Sequence, residues 1–169
     1  MTAPGQPVIR DLDPVTGLPR VEVFFHEAPD YWEMAEGRTP GLEKANDFFT
    51  DGPPGCDPAM SYGLGLFLNE RLSGLAELSF GFPESNDAYL GFMMLRPWAR
   101  NAGLGKIFLA HVEQLVCERA ASCLFLAVLS ANAKGRAYWE REWFRATGLS
   151  GVTRTGELEM EVHRLRKTL

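Results

Sequence analysis

Apolar residues change their spacing near residue 60, which predicts helices in much of the first third and mainly strands afterwards. The first third is predicted to contain a strand at 8–12, a turn-rich stretch at 13–19, a strand at 20–25 and helices at 30–36 and about 40–49. Asp30 is the N-cap candidate of the first helix, which ends at Gly37. Thr39-Pro40, an N-cap followed by proline, begins the second helix. Residues 1–7 are expected to form a loose tail.

Beyond Met60, short apolar runs bounded by polar turns predict a series of strands. Strands are predicted at 61–68, 72–82, 88–95, 123–129, 144–147 and 157–165, with helices at 104–120 and 133–143. Residues 69–71 form a tight antiparallel connection, and residues 148–156 form a turn region. The expected fold is α/β, with a mixed, mostly antiparallel central sheet flanked by helices. A helix crosses over between Ala88–Leu95 and Cys123–Leu129, so these strands should lie parallel, or splayed, beside each other.

Length and cysteine usage narrow the class of protein. With 169 residues, the chain is expected to form one domain over residues 1–169. No apolar run approaches the roughly 20 residues that span a bilayer, and the N-terminus lacks the basic-then-apolar order of a signal peptide. Cys56, Cys117 and Cys123 show no metal-ligand spacing. We therefore expect a reduced, cytoplasmic protein with no disulfide framework, no metal site and no membrane partner.

Negative charge is concentrated in the first third of the chain. The net charge of −5 argues against nucleic acid binding by bulk electrostatics. Residues 1–60 carry eleven acids and four bases, a net charge of −7 that leaves +2 for residues 61–169. Two interpretations stay open: a solvated acidic surface, or an acidic rim that attracts a cationic substrate.

A strand, a glycine turn and a helix start follow one another between residues 89 and 106. Backbone N–H groups in the first turn of a helix lack internal partners, and the helix dipole adds positive charge there, so an anion binds readily. Gly103 and Gly105 let the backbone approach such a ligand, and Arg100 and Lys106 add charge. The Walker pattern fails because Arg100 stands where it requires glycine. The dinucleotide pattern fails because Phe108 occupies the third glycine position.

Two blocks of this sequence resemble the GNAT superfamily of acetyl-CoA-dependent N-acetyltransferases. The coenzyme signature of that family is Gln/Arg-x-x-Gly-x-Gly/Ala. Its second block has an Asn, a Tyr seven residues later and a Phe five residues after the Tyr. In this chain the matching residues are Arg100, Gly103, Gly105, Asn132, Trp139 and Phe144. The resemblance covers about residues 60–147 and reaches the first third only through the order of its helices.

The resemblance implies that acetyl-CoA is the co-substrate and that two backbone segments hold it. The pyrophosphate would bind the N–H groups of Asn101, Ala102, Gly103, Leu104, Gly105 and Lys106. The strand Phe92–Leu95 would pair with the pantetheine arm through the backbone of Met93, Met94 and Leu95, which requires a bulge or splay beside Cys123–Leu129. Asn132 and Trp139 would also lie at the coenzyme, and Asn132 is equally an N-cap candidate.

Acetyl transfer to an amine requires removal of a proton from nitrogen. Glu77 is the candidate base because it interrupts an apolar strand, although a solvent-facing side chain is the alternative. The family commonly supplies an acid for the thiolate from the tyrosine position that Trp139 occupies, and an indole N–H has no useful acidity. Tyr138, about 100° away around the helix, is the substitute candidate; its alternative role is packing against the sheet.

The expected function is therefore transfer of an acetyl group from acetyl-CoA to a primary amine of a small molecule or peptide. Asp30, Tyr31 and Glu33 can either contact this amine or lie on the surface. The alternative function is a non-catalytic acyl-CoA-binding or regulatory domain that kept the glycine turn and lost the acid, which Trp139 favours. No nucleic acid partner is expected, and the resemblance makes a homodimer plausible.

Overall fold

The computed structural model describes residues 5–155 and 158–169, whose strands form a seven-stranded sheet with helices on both faces. The strands are β1 (Val8–Asp11), β2 (Tyr62–Leu68), β3 (Arg71–Phe80), β4 (Asp87–Leu95), β5 (Cys123–Leu129), β6 (Arg145–Thr155) and β7 (Leu158–Thr168). The helices are α1 (Pro14–Glu27), α2 (Pro29–Glu36), α3 (Leu42–Thr50), α4 (Leu104–Glu118) and α5 (Ala133–Arg141). Most of the expected N-terminal tail, residues 1–4, lies outside the described residues. None of the helices described is both long and apolar enough to cross a membrane.

The sheet has the mixed, mostly antiparallel character that the sequence predicts. Its strand order is β1-β2-β3-β4-β5-β7-β6, and every neighbouring pair is antiparallel except β4 and β5. These two strands pair over three positions, from Asp87 with Cys123 to Tyr89 with Phe125. Beyond Tyr89 they separate, because β4 continues along β3 while β5 continues along β7. The splay between β4 and β5 is confirmed.

The first helix corrects the prediction for residues 13–25. These residues form α1, neither a turn-rich stretch nor a strand. The Asp13 side chain accepts hydrogen bonds from the backbone N–H groups of Val15 and Thr16, at 2.9 and 2.8 Å, and Pro14 occupies the first helical position. Val21, Phe24 and Phe25 then recur at helical spacing and are buried. The β-branched and aromatic content of this segment favoured a strand, but packing of one helical face decided the outcome.

The next two helices are close to their predicted positions. α2 ends at Gly37, whose φ of 72° gives it the left-handed conformation expected of a C-cap glycine. Its N-cap is Ala28, not Asp30, because Pro29 takes the first helical position. α3 begins at Leu42 with Gly41 as N-cap, two residues later than the Thr39-Pro40 signal predicts.

The end of the chain forms one long hairpin in place of the predicted short strands and turn region. β6 runs through Gly148, whose φ of 84° fits the register shift between Ala146 and Ser150. The Thr147 hydroxyl donates to the Arg164 carbonyl oxygen at 3.1 Å and so compensates for part of the interrupted ladder. A bulge therefore replaces the predicted turn. Residues 156 and 157, which include the predicted start of the last strand, lie outside the described residues.

The core lies on both faces of the sheet. On one face α4 and Phe144 pack against residues of β2 to β5 and β7, and this cluster includes Phe108, Val112, Leu124 and Leu165. On the other face α1 and α3 cover β2 to β4 through Phe24, Phe48, Phe67, Leu75 and Met94. The helices of the second face stop at β4, so the side of the sheet where β4 and β5 separate is left for the candidate site.

Candidate active site

The glycine turn before α4 has the free N–H groups that its sequence predicts. α4 has Gly103 as N-cap, with φ 78° and no side chain bonded to the first-turn N–H groups. A Cβ built on Gly103 would meet no atom within 4 Å, so the space in front of the helix is open. Leu104 is buried and anchors the first turn in the core, whereas Asn101, Ala102 and Lys106 are exposed. This cradle suits a diphosphate.

Gly105 also makes room for a neighbouring side chain, whereas its predicted role at the coenzyme stays a prediction. A Cβ at this position would lie 3.0 Å from the Tyr138 hydroxyl oxygen, so the glycine makes room for a side chain of α5. That hydroxyl is buried and has no hydrogen-bond partner within the described residues. Burial raises the pKa of Tyr138, which keeps the phenol protonated. Tyr138 therefore packs against the first turn of α4.

Arg100 connects the glycine turn to α2. Its Nε donates to the Leu95 carbonyl oxygen at 3.0 Å, and its two terminal nitrogens donate to the Asp30 carboxylate at 2.6 and 3.2 Å. The hydrogen bond from Arg100 lowers the pKa of Asp30. The guanidinium is thus committed to positioning the turn, and Lys106 is the exposed cation beside it.

The open edge of β4 offers backbone groups next to this turn. At the register shift between β3 and β4, Glu77 pairs with Phe92 and Leu78 pairs with Leu90, so Gly91 is an extra residue in β4. Met93, Met94 and Leu95 pair with β3 on one side, and on the β5 side none of the described residues pairs with them as a strand. The splay beside Cys123–Leu129 that pairing with a pantetheine arm requires is present, and the bulge lies on the β3 side of β4.

The second sequence block builds the start and the buried face of α5. The Asn132 side chain caps this helix by accepting a hydrogen bond from the Gly135 N–H at 2.9 Å. Trp139 packs against the core, with its ring centroid 5.4 Å from that of Phe144 and 4.9 Å from that of Tyr138. The indole therefore has a packing role.

Two adjoining cavities meet at Glu77, with volumes of about 290 and 200 Å³. Asp51, Glu77 and Gly91 line both of them. A Cβ on Gly91 would lie 3.3 Å from the Glu77 Oε2, so this glycine keeps the carboxylate accessible. Burial, and then the nearby charges of Asp51 and Asp47, raise the pKa of Glu77 to about 8. Glu77 is thus a largely buried carboxyl at an opening, which the solvent-facing alternative does not describe.

The smaller cavity has an aromatic wall. Trp32 stacks on Phe92 with centroids 5.8 Å apart and an interplanar angle of 16°, and Tyr31 meets Phe92 edge-on at 6.2 Å. Lys44 also lines this cavity and is paired with Glu36 at 2.5 Å. Of the three α2 residues considered as amine contacts, only Tyr31 lines a cavity; Asp30 binds Arg100 and Glu33 is exposed.

The structure thus brings Glu77 to the splay of the sheet but separates it from the other catalytic candidate. Tyr138 and Trp139 line neither cavity. Sequence reasoning missed Asp47, Asp51, Gly91 and Arg164. A lone glycine inside an apolar strand is a signal for a bulge and could have identified Gly91. Asp47 and Asp51 were visible only as part of the acidic first third, and Arg164 depends on the pairing of β7. Among the described residues no group of three or more His, Cys, Asp or Glu is arranged to hold a metal ion.

Comparison with known proteins identifies similar sequences and folds. A model of the acetyltransferase (GNAT) family matches residues 22–143. An acetyltransferase from Thermus thermophilus superposes with a TM-score of 0.75 at 21% identity, covering 97% of each chain. The ribosomal-protein-S18-alanine N-acetyltransferase from Escherichia coli superposes with a TM-score of 0.70 at 17% identity, covering 96% of this chain and 94% of that one. No curated protein sequence matches the chain.

Proposed function

Because the chain belongs to the acetyltransferase (GNAT) family, we propose that it transfers an acetyl group from acetyl-CoA to a primary amine, with Glu77 as the base. The observation that carries this proposal is the Glu77 carboxyl, which lies in a cavity at the bulge and splay of β4. Asp47 and Asp51 give the same place a negative potential suited to an ammonium group. They support the interpretation of an acidic rim for this part of the first third.

Acetyl-CoA would be held by the glycine turn and the open edge of β4. The N–H groups of 101–106 are oriented for its pyrophosphate, with Lys106 beside them, and the backbone of Met93–Leu95 is free for its pantetheine arm. Asn132 and Trp139 support this site through the cap and core packing of α5. Bound acetyl-CoA supplies the acetyl thioester for the reaction.

The residues of the cavity would prepare the amine for attack. An amine arrives largely as an ammonium ion, and Glu77, with a pKa of about 8, accepts its proton once the carboxyl is ionised. N–H groups on the open edge around Met93–Leu95 are candidate donors to the developing oxyanion. Tyr138 as proton donor to the leaving thiolate stays a prediction, which the position of its hydroxyl against Gly105 does not favour.

The test is continuous measurement of thiol release from acetyl-CoA with a panel of primary amines. We expect steady turnover whose kcat/KM rises with pH through about 8, and a Glu77→Gln variant that keeps coenzyme affinity but loses this pH limb. A non-catalytic acyl-CoA-binding domain is the alternative, favoured by the packing role of Trp139. Coenzyme binding without turnover for any amine would establish that alternative. The cytoplasmic location and the homodimer also stay predictions.

A further inference from the structure

The larger cavity has opposite charges among its lining residues. Glu77 and Asp51 supply carboxyl groups, and Arg164 supplies a guanidinium from β7. Arg164 stands opposite Ala127 of β5, on the far side of the splay from Glu77. Among residues 5–155 and 158–169, this guanidinium forms no ion pair with a carboxylate. A molecule that fills the cavity therefore meets carboxyl groups and an uncompensated cation.

An aromatic support fixes the cationic part of this cavity. The Arg164 guanidinium carbon lies 5.1 Å from the centroid of the Phe82 ring. Tyr89 meets the same ring edge-on, with centroids 5.1 Å apart and an interplanar angle of 84°. Tyr89 also lines the cavity, and within the described residues its hydroxyl has no hydrogen-bond partner. Arg164 and Tyr89 thus offer hydrogen-bond donors, with no carboxylate among the described residues paired to the guanidinium and no partner bonded to the phenol. Such an arrangement binds a compact anion.

The walls of the two cavities are connected. α2 contributes Tyr31 and Trp32 to the smaller cavity, and β7 contributes Arg164 to the larger one. These two elements touch, since a Cβ built on Gly37 would lie 3.3 Å from the Leu158 Cδ1. The two cavities, of about 290 and 200 Å³, together have the size of a small-molecule site.

We propose that the acceptor is a small amino carboxylate, whose amine faces Glu77 and whose carboxylate is bound by Arg164 and Tyr89. This inference rests on the proposed acetyl transfer and specifies its substrate class. In the reaction the nitrogen forms a bond to the acetyl carbon as the carbon–sulfur bond breaks. The sulfur leaves with the bonding electron pair. The ammonium form of the acceptor gives up two protons in all: Glu77 accepts the first before attack, and the second, released as the nitrogen–carbon bond forms, passes to the leaving thiolate and gives the free thiol of CoA. The carboxylate of the acceptor is unchanged and serves only in recognition.

Matched acceptors test the role of the carboxylate. The first set is phenylalanine, phenylalaninamide and phenethylamine, and the second is lysine, lysinamide and cadaverine. Within a set the side chain is constant, while the carboxylate is present, neutralised or removed. Thiol release should favour the free amino acid of at least one set by about 10- to 100-fold in kcat/KM, the range for a charge-assisted contact.

Substitution of Arg164 separates recognition from structure. Arg164→Gln should abolish the preference for the free amino acid by raising its KM, while kcat/KM for the amide and the decarboxylated amine stays within about twofold. Arg164→Lys should retain part of the preference, because the charge remains without the planar fork. Arg166→Gln, two residues along the same strand and outside the cavity lining, is the control and should keep the preference.

Each outcome has one meaning. Equal rates within both sets, or faster reaction of the amides or decarboxylated amines, would overturn the inference while leaving acetyl transfer intact. Arg164→Gln could instead lower kcat/KM equally for all three members of a set and also lower the melting temperature. That result would also overturn the inference, because it would assign the arginine a structural role. If no amine of either set or of the wider panel supports thiol release from acetyl-CoA, the proposed function itself is rejected.

Discussion

Replacing Glu77 with glutamine should make the protein more stable at alkaline pH, because the carboxyl is costly to ionise where it lies. Its pKa is raised from the ordinary value of 4.5 to about 8, with burial as the largest cause. Between these two values the folded protein holds a proton that the unfolded chain has released. The free energy of unfolding of the wild type is therefore highest, as far as Glu77 is concerned, below pH 4.5, and it falls as the pH rises from 4.5 through about 8. Glutamine stays neutral and removes this dependence.

The size of the effect follows from the two pKa values. They differ by about 3.5 pH units, and one unit corresponds to about 1.36 kcal/mol. The quantity to follow is the free energy of unfolding of Glu77→Gln minus that of the wild type. Compared with its value at pH 4.5, this difference should be larger by about 2 kcal/mol at pH 6 and by about 5 kcal/mol at pH 9. The larger value is an upper limit because the cavity opens to water, which screens the ionised carboxylate.

Urea denaturation of the wild type and the variant between about pH 5 and pH 9 measures this difference. Glu84→Gln is the matched control, since Glu84 is an exposed loop residue and its substitution should leave the pH dependence unchanged. Parallel stability curves for the wild type and Glu77→Gln would mean that the carboxyl is solvated in the folded protein. That result would refute both the burial argument and the assignment of an alkaline limb to Glu77.

Substitutions at three further positions test the proposed coenzyme site and α5. Gly103→Glu should abolish acetyl-CoA binding in calorimetry, since it places a side chain and a negative charge in the cradle. Gly103→Ala adds the strain of a positive φ but no charge, so it should retain binding and lower the free energy of unfolding by about 1 kcal/mol. Asn132→Ala should lower the free energy of unfolding by about 1 kcal/mol in urea, through loss of the α5 cap. Tyr138→Phe should leave kcat within about twofold and raise stability by up to about 1 kcal/mol, because its hydroxyl is buried without a partner; a large fall in kcat with unchanged coenzyme affinity would assign Tyr138 as the acid.

Local signals predicted the second half of the fold well because local and tertiary preferences agree there. Cys123–Leu129 is a continuous apolar run and is the buried β5, and Gly103 begins α4 at a position where its positive φ needs glycine. In the first third the two preferences conflict. The segment at Arg20–Phe25 is rich in residues that favour strands, yet the cap at Asp13 and burial of one face make it helical. At Gly148 a bulge takes the place of a turn, which only the pairing of β6 with β7 determines.

The candidate site could be predicted only as far as it depends on one segment. Glu77 stood out because a carboxylate interrupts an apolar strand, and that signal needs no knowledge of its neighbours. The raised pKa of Glu77, in contrast, depends first on its burial and then on the charges of Asp51 and Asp47, which are distant in sequence. Arg164 reaches the same cavity through the pairing of β5 with β7. Sequence therefore indicated the candidate base, whereas its environment and the opposing cation could be seen only in the fold.

The arginine of the glycine signature shows how the two halves of the site are held together. Arg100 was expected to add charge for an anion, but its guanidinium is bound to Asp30 and to the Leu95 carbonyl oxygen. Asp30 is followed directly in α2 by Tyr31 and Trp32, which form the aromatic wall of the smaller cavity. One side chain thus connects the end of β4, the glycine turn proposed for the coenzyme, and the helix that carries the aromatic wall of the smaller cavity. Since relative placement of two reactants within less than an ångström governs the rate of group transfer, the arginine in this signature acts through position more than through charge.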